Sequence, residues 1–339
     1  DSTQATYTYG PNPYSALEGA VFSGLVSTTY GNTTIAYTYD ALNRITQVTQ
    51  DGRTVSYEYD AVGNRTKLTY PDGSYITYTY DALRRLDQII NSTGQVIADY
   101  TYDSLNRRTQ LDLKNGTQTL YQYDQVNNLT SLTNRVAATQ AVISSFAYTY
   151  DKMGNRTSMA TPGGIHTYTY DKIYQLTGAD YPDNYPFPDM AYNFDAVDNR
   201  TSTVDGGNIT YTTNSMNQYT SVGGTAYTYD ANGNLTGDGT NTYQYDYENR
   251  LIRATTPSGT IDYTYDPLGR RMSKTVGGTV TNYVHDGDRV IAEMDGVGNV
   301  TNYVNGAAID EILCMRKGGI EYYYLSDALD SVTEITNAT

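Results

Sequence analysis

Two histidines, one cysteine and several groups of carboxylates are the residues of this 339-residue chain whose types could do chemistry. A histidine beside a serine and an aspartate can activate a nucleophile, and histidines sharing a face can hold a metal. His166 and His285 lie far apart in different copies of an internal repeat, so each is expected to be an isolated strand histidine. Asp180, Asp183 and Asp189 form one acidic group, and Asp286, Asp288 and Asp295 another. Paired carboxylates can serve as acid and base on a glycosidic bond, or bind calcium. The segments DGD (286–288) and DGVGN (295–299) lack the ligand spacing of a calcium loop and read as turns. Neither a metal nor a cofactor is expected. Cys314 has no disulfide partner and reads as a buried, inert thiol.

The repeat that must position these residues is the strongest signal in the chain. A Tyr-x-Tyr-Asp phrase ends at Asp40, Asp60, Asp81, Asp103, Asp124, Asp151, Asp171, Asp230, Asp246 and Asp266. Weaker copies end at Asp195, Asn214 and Asp286, which makes about 13. Most gaps run 19 to 22 residues, with shorter gaps of 16 before Asp230 and Asp246. The tyrosines come in pairs two apart: Tyr37 and Tyr39, Tyr57 and Tyr59, Tyr78 and Tyr80, Tyr100 and Tyr102, Tyr148 and Tyr150. Tyr168 and Tyr170, Tyr227 and Tyr229, and Tyr263 and Tyr265 continue the series. Alternation along a strand puts both rings of a pair on one face.

The Asp then opens a turn. Gly63, Gly154 and Gly269 stand at its fourth position, where a positive φ suits glycine or asparagine. A return strand follows, such as RTKLTY (65–70), read as alternating polar and apolar. A second turn, such as Asp51-Gly52 or Gly277-Gly278, closes the unit. One repeat is therefore two antiparallel strands, and the chain is a meander of hairpins that cannot stand singly and must stack. Equivalent tyrosines are expected to stack in rows from repeat to repeat. Arg44, Arg65, Arg85, Arg107, Arg156, Arg200, Arg250 and Arg270 follow the turns and can reach an Asp or lie over a ring. Recurrence at so many equivalent places points to building rather than catalysis.

Composition fits an array of this kind. Tyr numbers 38 against 4 Phe and no Trp, so phenol rings must fill the core. The net charge of −15 disfavours a nucleic-acid partner and an anionic membrane surface. No apolar run is long enough to span a bilayer. The chain opens at Asp1 rather than Met and is expected to be a processed product or part of something longer.

The phrases YTYDALNRI, YEYDAVGNRT and YDPLGRRMSK resemble the tyrosine–aspartate (YD) repeats of bacterial RHS (rearrangement hotspot) proteins, of the C components of insecticidal toxin complexes and of the animal teneurins. The resemblance runs from about residue 30 to 339. Residues 283–339 are similar to the stretch before the RHS core region, which in the family carries a self-cleaving aspartate site and then a variable, often toxic, domain. One departure is Asp330, which stands where the family pattern D-x-L-G-S-V has Gly. Asp tolerates positive φ better than most residues.

The resemblance implies an all-β array, a spiralling antiparallel sheet forming the wall of a shell or tube. Two strands per repeat advance the wall by about 10 Å, so 13 repeats span on the order of 125 Å, roughly one turn around a small domain. The expected organisation is an irregular N-terminal segment or cap (1–30), the YD array (31–286) and C-terminal repeats (287–339). GADYPDNYPFPDM (178–190) breaks the rhythm and reads as a protruding or wall-lining loop. The preferred function is a non-enzymatic wall segment of a secreted or cell-surface protein whose partner is a toxin or cargo polypeptide. The alternative is an extracellular fibre or adhesion scaffold that would meet copies of itself or cell-surface glycans. An enzyme acting on polysaccharide ranks last.

Overall fold

The computed structural model describes residues 6–10, 24–31 and 33–337. Every regular element among them is a strand. Strands pair antiparallel with their neighbours in sequence, from Thr6–Gly10 on Gly24–Tyr30 through to Ile320–Ser326 on Val332–Asn337, with a single break between Thr225–Ala226 and Thr228–Tyr229 among the described residues. The array is therefore an all-β meander. Gly24–Tyr30 also pairs with Thr33–Tyr39. The meander thus already runs through part of the segment expected as a cap, while residues 1–5 and 11–23 lie outside the described residues.

Hydrogen bonding divides the meander into sheets of 21 and 12 strands. The division falls at Tyr227. Thr225–Ala226 pairs back with Tyr219–Val222, Thr228–Tyr229 pairs forward with Leu235–Gly237, and the Tyr227 N–H bonds the Thr220 carbonyl at 3.0 Å. Strands are shortest around it, two residues in Thr225–Ala226 and in Thr228–Tyr229, then three in Leu235–Gly237 and four in Thr242–Tyr245. The two 16-residue gaps in the repeat mark this narrow waist.

At the end where the Tyr-x-Tyr strands finish, here the Asp rim, every hairpin carries a β-bulge. Thr38 lies opposite Gln47 but Tyr39 lies opposite Ile45, which leaves Thr46 extra. A bulge bends its strand and adds right-handed twist. Repeated in every hairpin on the same rim, it curls the sheet in one direction. The return strands consequently do not alternate as read. Arg65 and Leu68, three apart, share the Tyr-x-Tyr face: Arg65 lies over Tyr57 and Tyr78, and Leu68 pairs directly with Tyr57.

The curl brings the C-terminal strands back onto the N-terminal ones. Registers show which faces meet. Lys274 lies opposite Tyr263 and Thr281 opposite Lys274, so Tyr283 is on the Tyr-x-Tyr face. Val284 is then on the other face, with Ala292 and Asn302 in line, and Val304, Cys314 and Tyr323 continue it. Those residues share one core with Val48, Tyr57, Leu68, Ile76, Ile89, Tyr100 and Leu111 of the early strands. The back of the late strands packs on the Tyr-x-Tyr face of the early ones. The sheet is a scroll with its C-terminal end rolled inside.

Polar contacts set the register of the overlap. The Gln50 amide, fully buried, meets the backbone of His285 twice: Nε2 donates to the carbonyl at 2.6 Å and Oε1 accepts the N–H at 3.0 Å. Tyr70 Oη donates to the Tyr303 carbonyl at 2.8 Å. Ion pairs join Arg65 to Asp286 (2.5 Å), Lys114 to Glu321 (2.7 Å) and Arg108 to Glu311. Full burial of an Ile, Leu or Val contributes about 1.5–3 kcal/mol, against about 1 kcal/mol net for a hydrogen bond. Apolar burial therefore closes the scroll, and the polar contacts fix where it closes. Gln50→Leu leaves the buried His285 N–H and C=O unpaired and should lower stability by about 2–4 kcal/mol, read as a lower urea midpoint.

Candidate functional site

The Asp that ends each Tyr-x-Tyr strand builds its turn with its own carboxylate. Asp103 Oδ1 accepts the N–H of Leu105 at 2.9 Å and of Arg107 at 3.0 Å, and Oδ2 takes Arg107 Nε at 2.7 Å. The same set forms at Asp40, Asp81, Asp246 and Asp266, each with an Arg four residues on. At Asp60, Asp151, Asp195 and Asp230 an Asn side chain replaces the Arg. Asp171 keeps the two backbone bonds, to Ile173 and Gln175. Backbone N–H donors hold the carboxyls of Asp40, Asp81 and Asp103 below the usual carboxylate range, with the Arg side chain adding to the effect. The fourth residue has positive φ, as at Gly63 (95°), Gly154 (89°), Gly269 (81°) and Asn43 (61°). Asp330 adopts 57°, so the turn that departs from the family pattern still forms.

The arginine ties its repeat to the next. Arg44 Nη1 donates to the Asp60 carbonyl at 2.8 Å, and its guanidinium lies 4.8 Å from the centre of the Tyr59 ring. Arg85 and Arg107 reach Asp103 and Asp124 in the same way, over Tyr102 and Tyr123, and Arg250 reaches Asp266 over Tyr265. Arg270 reaches the Gly287 carbonyl at 2.6 Å. The second tyrosine of each pair reaches the other way. Tyr59 Oη donates to the Ile45 carbonyl, Tyr80 to Arg65, Tyr102 to Leu86, Tyr150 to Leu129, Tyr170 to Arg156 and Tyr265 to Leu251, all within 2.7–2.8 Å. Tyr39 does so to Leu25, and Tyr229 to Tyr219.

The first tyrosines do not stack on one another as expected. An arginine five residues after the Asp is interleaved between them: Arg65 between Tyr57 and Tyr78, Arg108 between Tyr100 and Tyr121, Arg271 between Tyr263 and Tyr283. Arg156 lies over Tyr148 at 4.3 Å. Rings about 10 Å apart along the sheet are too distant to touch, and a guanidinium fills the gap with a cation–π contact on each side. Burial pushes Tyr37, Tyr78 and Tyr168 above the usual phenol range, and Tyr78 reaches about 12. Tyr148 Oη accepts the Ala328 N–H at 3.1 Å, which makes it part of the overlap.

Asp286 does not form the Asp turn. It pairs with Arg289 across Gly287-Asp288, and its side chain serves the overlap through Arg65. Asp327 does form one, its Oδ1 accepting the N–H groups of Leu329 and Ser331, a copy that the repeat count missed. Asp295 builds the same turn at the opposite rim. Serine at Asp327 minus one hid the first of these, and the plain sequence cannot say which rim a turn occupies.

The two histidines are in separate places. His166 is buried on the Tyr-x-Tyr face beneath Tyr181 and Tyr185, ring centres 5.5 and 4.8 Å away. The proline-rich loop thus folds over that face, with Pro182 so close above Gly164 that a Cβ there would lie 2.6 Å from it. His285 is buried in the overlap, where burial lowers its pKa to about 4. Asp189 accepts the Tyr181 N–H at 2.8 Å and Asp180 faces Thr167 at 3.4 Å, while Asp183 and Asp288 stand on turns. No group of three His, Cys, Asp or Glu placed to hold a metal occurs among the described residues. Cys314 is buried, which pushes its thiol up to about 12.

The family profile of the teneurin YD-shell matches residues 22–96 and 164–339. This chain belongs to the YD-shell family. No curated protein sequence matches it. Among solved structures it is similar to TcdB2-TccC3, at 15% identity and a TM-score of 0.77, covering 98% of this chain and 21% of that one. It is also similar to a chain of the Photorhabdus luminescens Tc holotoxin pore, at 14% identity and a TM-score of 0.76, covering 94% and 20%. TcdB2-TccC3 without its hypervariable C-terminal region matches at 14% identity and a TM-score of 0.70, covering 94% and 20%. The YD-shell described here spans about a fifth of those chains. It is a structural shell with the YD-repeat fold.

Asn214 shows how the YD turn works without a charge. Its Nδ2 donates to Gln218 Oε1 at 2.8 Å, the reverse of the Asp–Arg polarity. Asp103→Asn alone should therefore set an amide N–H against Arg107 and lower the melting temperature, and adding Arg107→Gln should restore much of the loss. Acid should act in two stages. His285 has a folded pKa below its ordinary 6.5, so the unfolded chain binds its proton first, and stability falls between pH 6.5 and about 4. The turn aspartates have folded values below 3.8, so their contribution is complete above that range and is lost as pH falls beneath it. His285→Gln should remove the first limb of a melting-temperature profile and leave the second.

Proposed function

We propose that this YD-shell is a length of wall that encloses a polypeptide cargo, a toxin in the bacterial case, within a protein destined for export or the cell surface. The observation that carries this reading is the overlap. The backs of strands carrying Val284, Val304 and Tyr323 lie on the Tyr-x-Tyr face of strands carrying Tyr57, Leu68 and Tyr100, which makes that face the inside of the curl. One solved chain of similar fold belongs to the Photorhabdus luminescens Tc holotoxin pore. On this reading the described carboxylates serve turns and ion pairs, and no catalysis is assigned to the wall. No helix among the described residues is long and apolar enough to cross a membrane.

A second reading, a fibre or adhesion scaffold, draws on the first and last strands of the meander, which pair on one side only among the described residues. These are Thr6–Gly10 and Val332–Asn337, with Tyr9 and Ile335 exposed. An unpaired edge can template another strand. Electron micrographs of native material distinguish the two, as closed particles or as filaments.

The container reading is tested by protease treatment of the natural gene product with its downstream cargo attached. The cargo should resist digestion while the wall is intact and become sensitive in Val304→Asp, which places a charge in the overlap. Cargo cut at the rate of free polypeptide in the intact protein would sink the reading.

A further inference from the structure

Where the returning strands meet the first repeats, the scroll leaves a cavity of about 350 Å³. Tyr37, Tyr57, Tyr59 and Val48 of the early strands wall one side. Arg270, His285 and Asp286 come from the late strands and their turns. Leu268, Gly287 and Asp288, all exposed on turns of the Asp rim, stand at the mouth. The volume lies in the range of small-molecule sites, and the lining has their usual make-up, apolar and aromatic with a few polar groups.

Several of those polar groups have no partner. Asp286 is taken by Arg65 at 2.5 Å. Arg270 gives Nε to Asp266 at 2.7 Å and Nη1 to the Gly287 carbonyl at 2.6 Å, but its Nη2 is buried and bonds nothing. His285 is 4% exposed, and only its backbone is bonded, by Gln50. Neither of its ring nitrogens meets a described residue, and Nδ1 is fully enclosed. The Tyr37 hydroxyl bonds no described residue either, whereas Tyr59 donates to the Ile45 carbonyl. Native proteins leave few buried polar groups unmet, and here three face one cavity. The space is much larger than the one or two waters that would meet them.

The three groups share one chemistry. A guanidinium N–H and a phenol O–H are donors. Burial lowers the His285 pKa to about 4, so its ring is neutral near pH 7 and has one N–H to give. A carboxylate accepts several such donors at once and donates none. Its single charge sits beside Arg270, whose own partner Asp266 is not part of the lining. A doubly charged phosphate would meet more repulsion from Asp286 and Asp288. The rings and Val48 leave an apolar space for a flat body behind the charge.

We infer that this seam cavity is a binding site for a small aromatic carboxylate. The carboxylate accepts from Arg270 Nη2, the Tyr37 hydroxyl and a His285 ring N–H, and the aryl body lies among Tyr57, Tyr59 and Val48. Tyr37 belongs to the early strands and His285 to the late ones, so the site exists only in the closed scroll and its ligand holds the seam shut.

Isothermal titration calorimetry of the 339-residue chain with benzoate and with the larger 2-naphthoate tests this, with benzamide and benzylamine as neutral and cationic probes of the benzoate shape. At least one of the two acids should bind one to one and raise the melting temperature, and both uncharged and cationic probes should bind at least roughly tenfold more weakly. Tyr37→Phe keeps the ring and breaks no bond within the protein. It should leave the melting temperature of the free protein unchanged and weaken the acid at least roughly fivefold. Tyr168→Phe, the equivalent tyrosine of a distant repeat, should leave the affinity as it is. No saturable binding of either acid, equal binding of benzamide, or a Tyr37→Phe protein that binds as tightly as the parent would each overturn the inference.

Discussion

The carboxylate at the end of each Tyr-x-Tyr strand is the contact on which the rest of this wall depends. It takes two backbone N–H groups of a tight turn and one side-chain donor, so three polar groups at a strand end are satisfied by one residue. Its arginine partner then reaches the next turn, while the next tyrosine reaches back to the previous return strand. Neighbouring hairpins are joined in both directions by side chains as well as by the backbone ladder. A single hairpin has no such neighbour, which is why the unit is stable only in series.

Curvature has a different source. The bulge beside every Asp turn adds one residue to the return strand on the same rim each time, and identical small bends accumulate into a scroll. The bulge also shifts the arginine five residues after the Asp onto the tyrosine face. There it separates rings that would otherwise leave gaps along the sheet. Bending and packing follow from one inserted residue.

Closure puts two kinds of strand to different uses. Early strands bury mainly their tyrosine face. Late strands are covered on their back as well, so Tyr283 and Val284, adjacent in sequence, are both buried. Buried His285 and Cys314 belong to this doubly covered region, where their burial reflects position in the overlap and no shared chemistry.

The thirteen-fold phrase was enough to read a continuous antiparallel meander, its turns and the role of Asp103 or Asp266 in them, because hydrogen bonds within a turn link residues a few positions apart. The 16-residue gaps coincide with the narrow waist near Leu235–Gly237, although no waist was read from them. The bulge was legible in principle, since Ile45 and Val48, or Leu86 and Ile89, stand three apart where alternation demands two. The overlap was not legible. Gln50 looks like any polar strand residue until the curl brings His285 to it from 235 positions away. By itself the sequence determined the hairpin, its turn and its repetition, all local. Only the tertiary structure decided which face looks inward and which residues meet across the scroll, because those depend on small bends summed over the whole array.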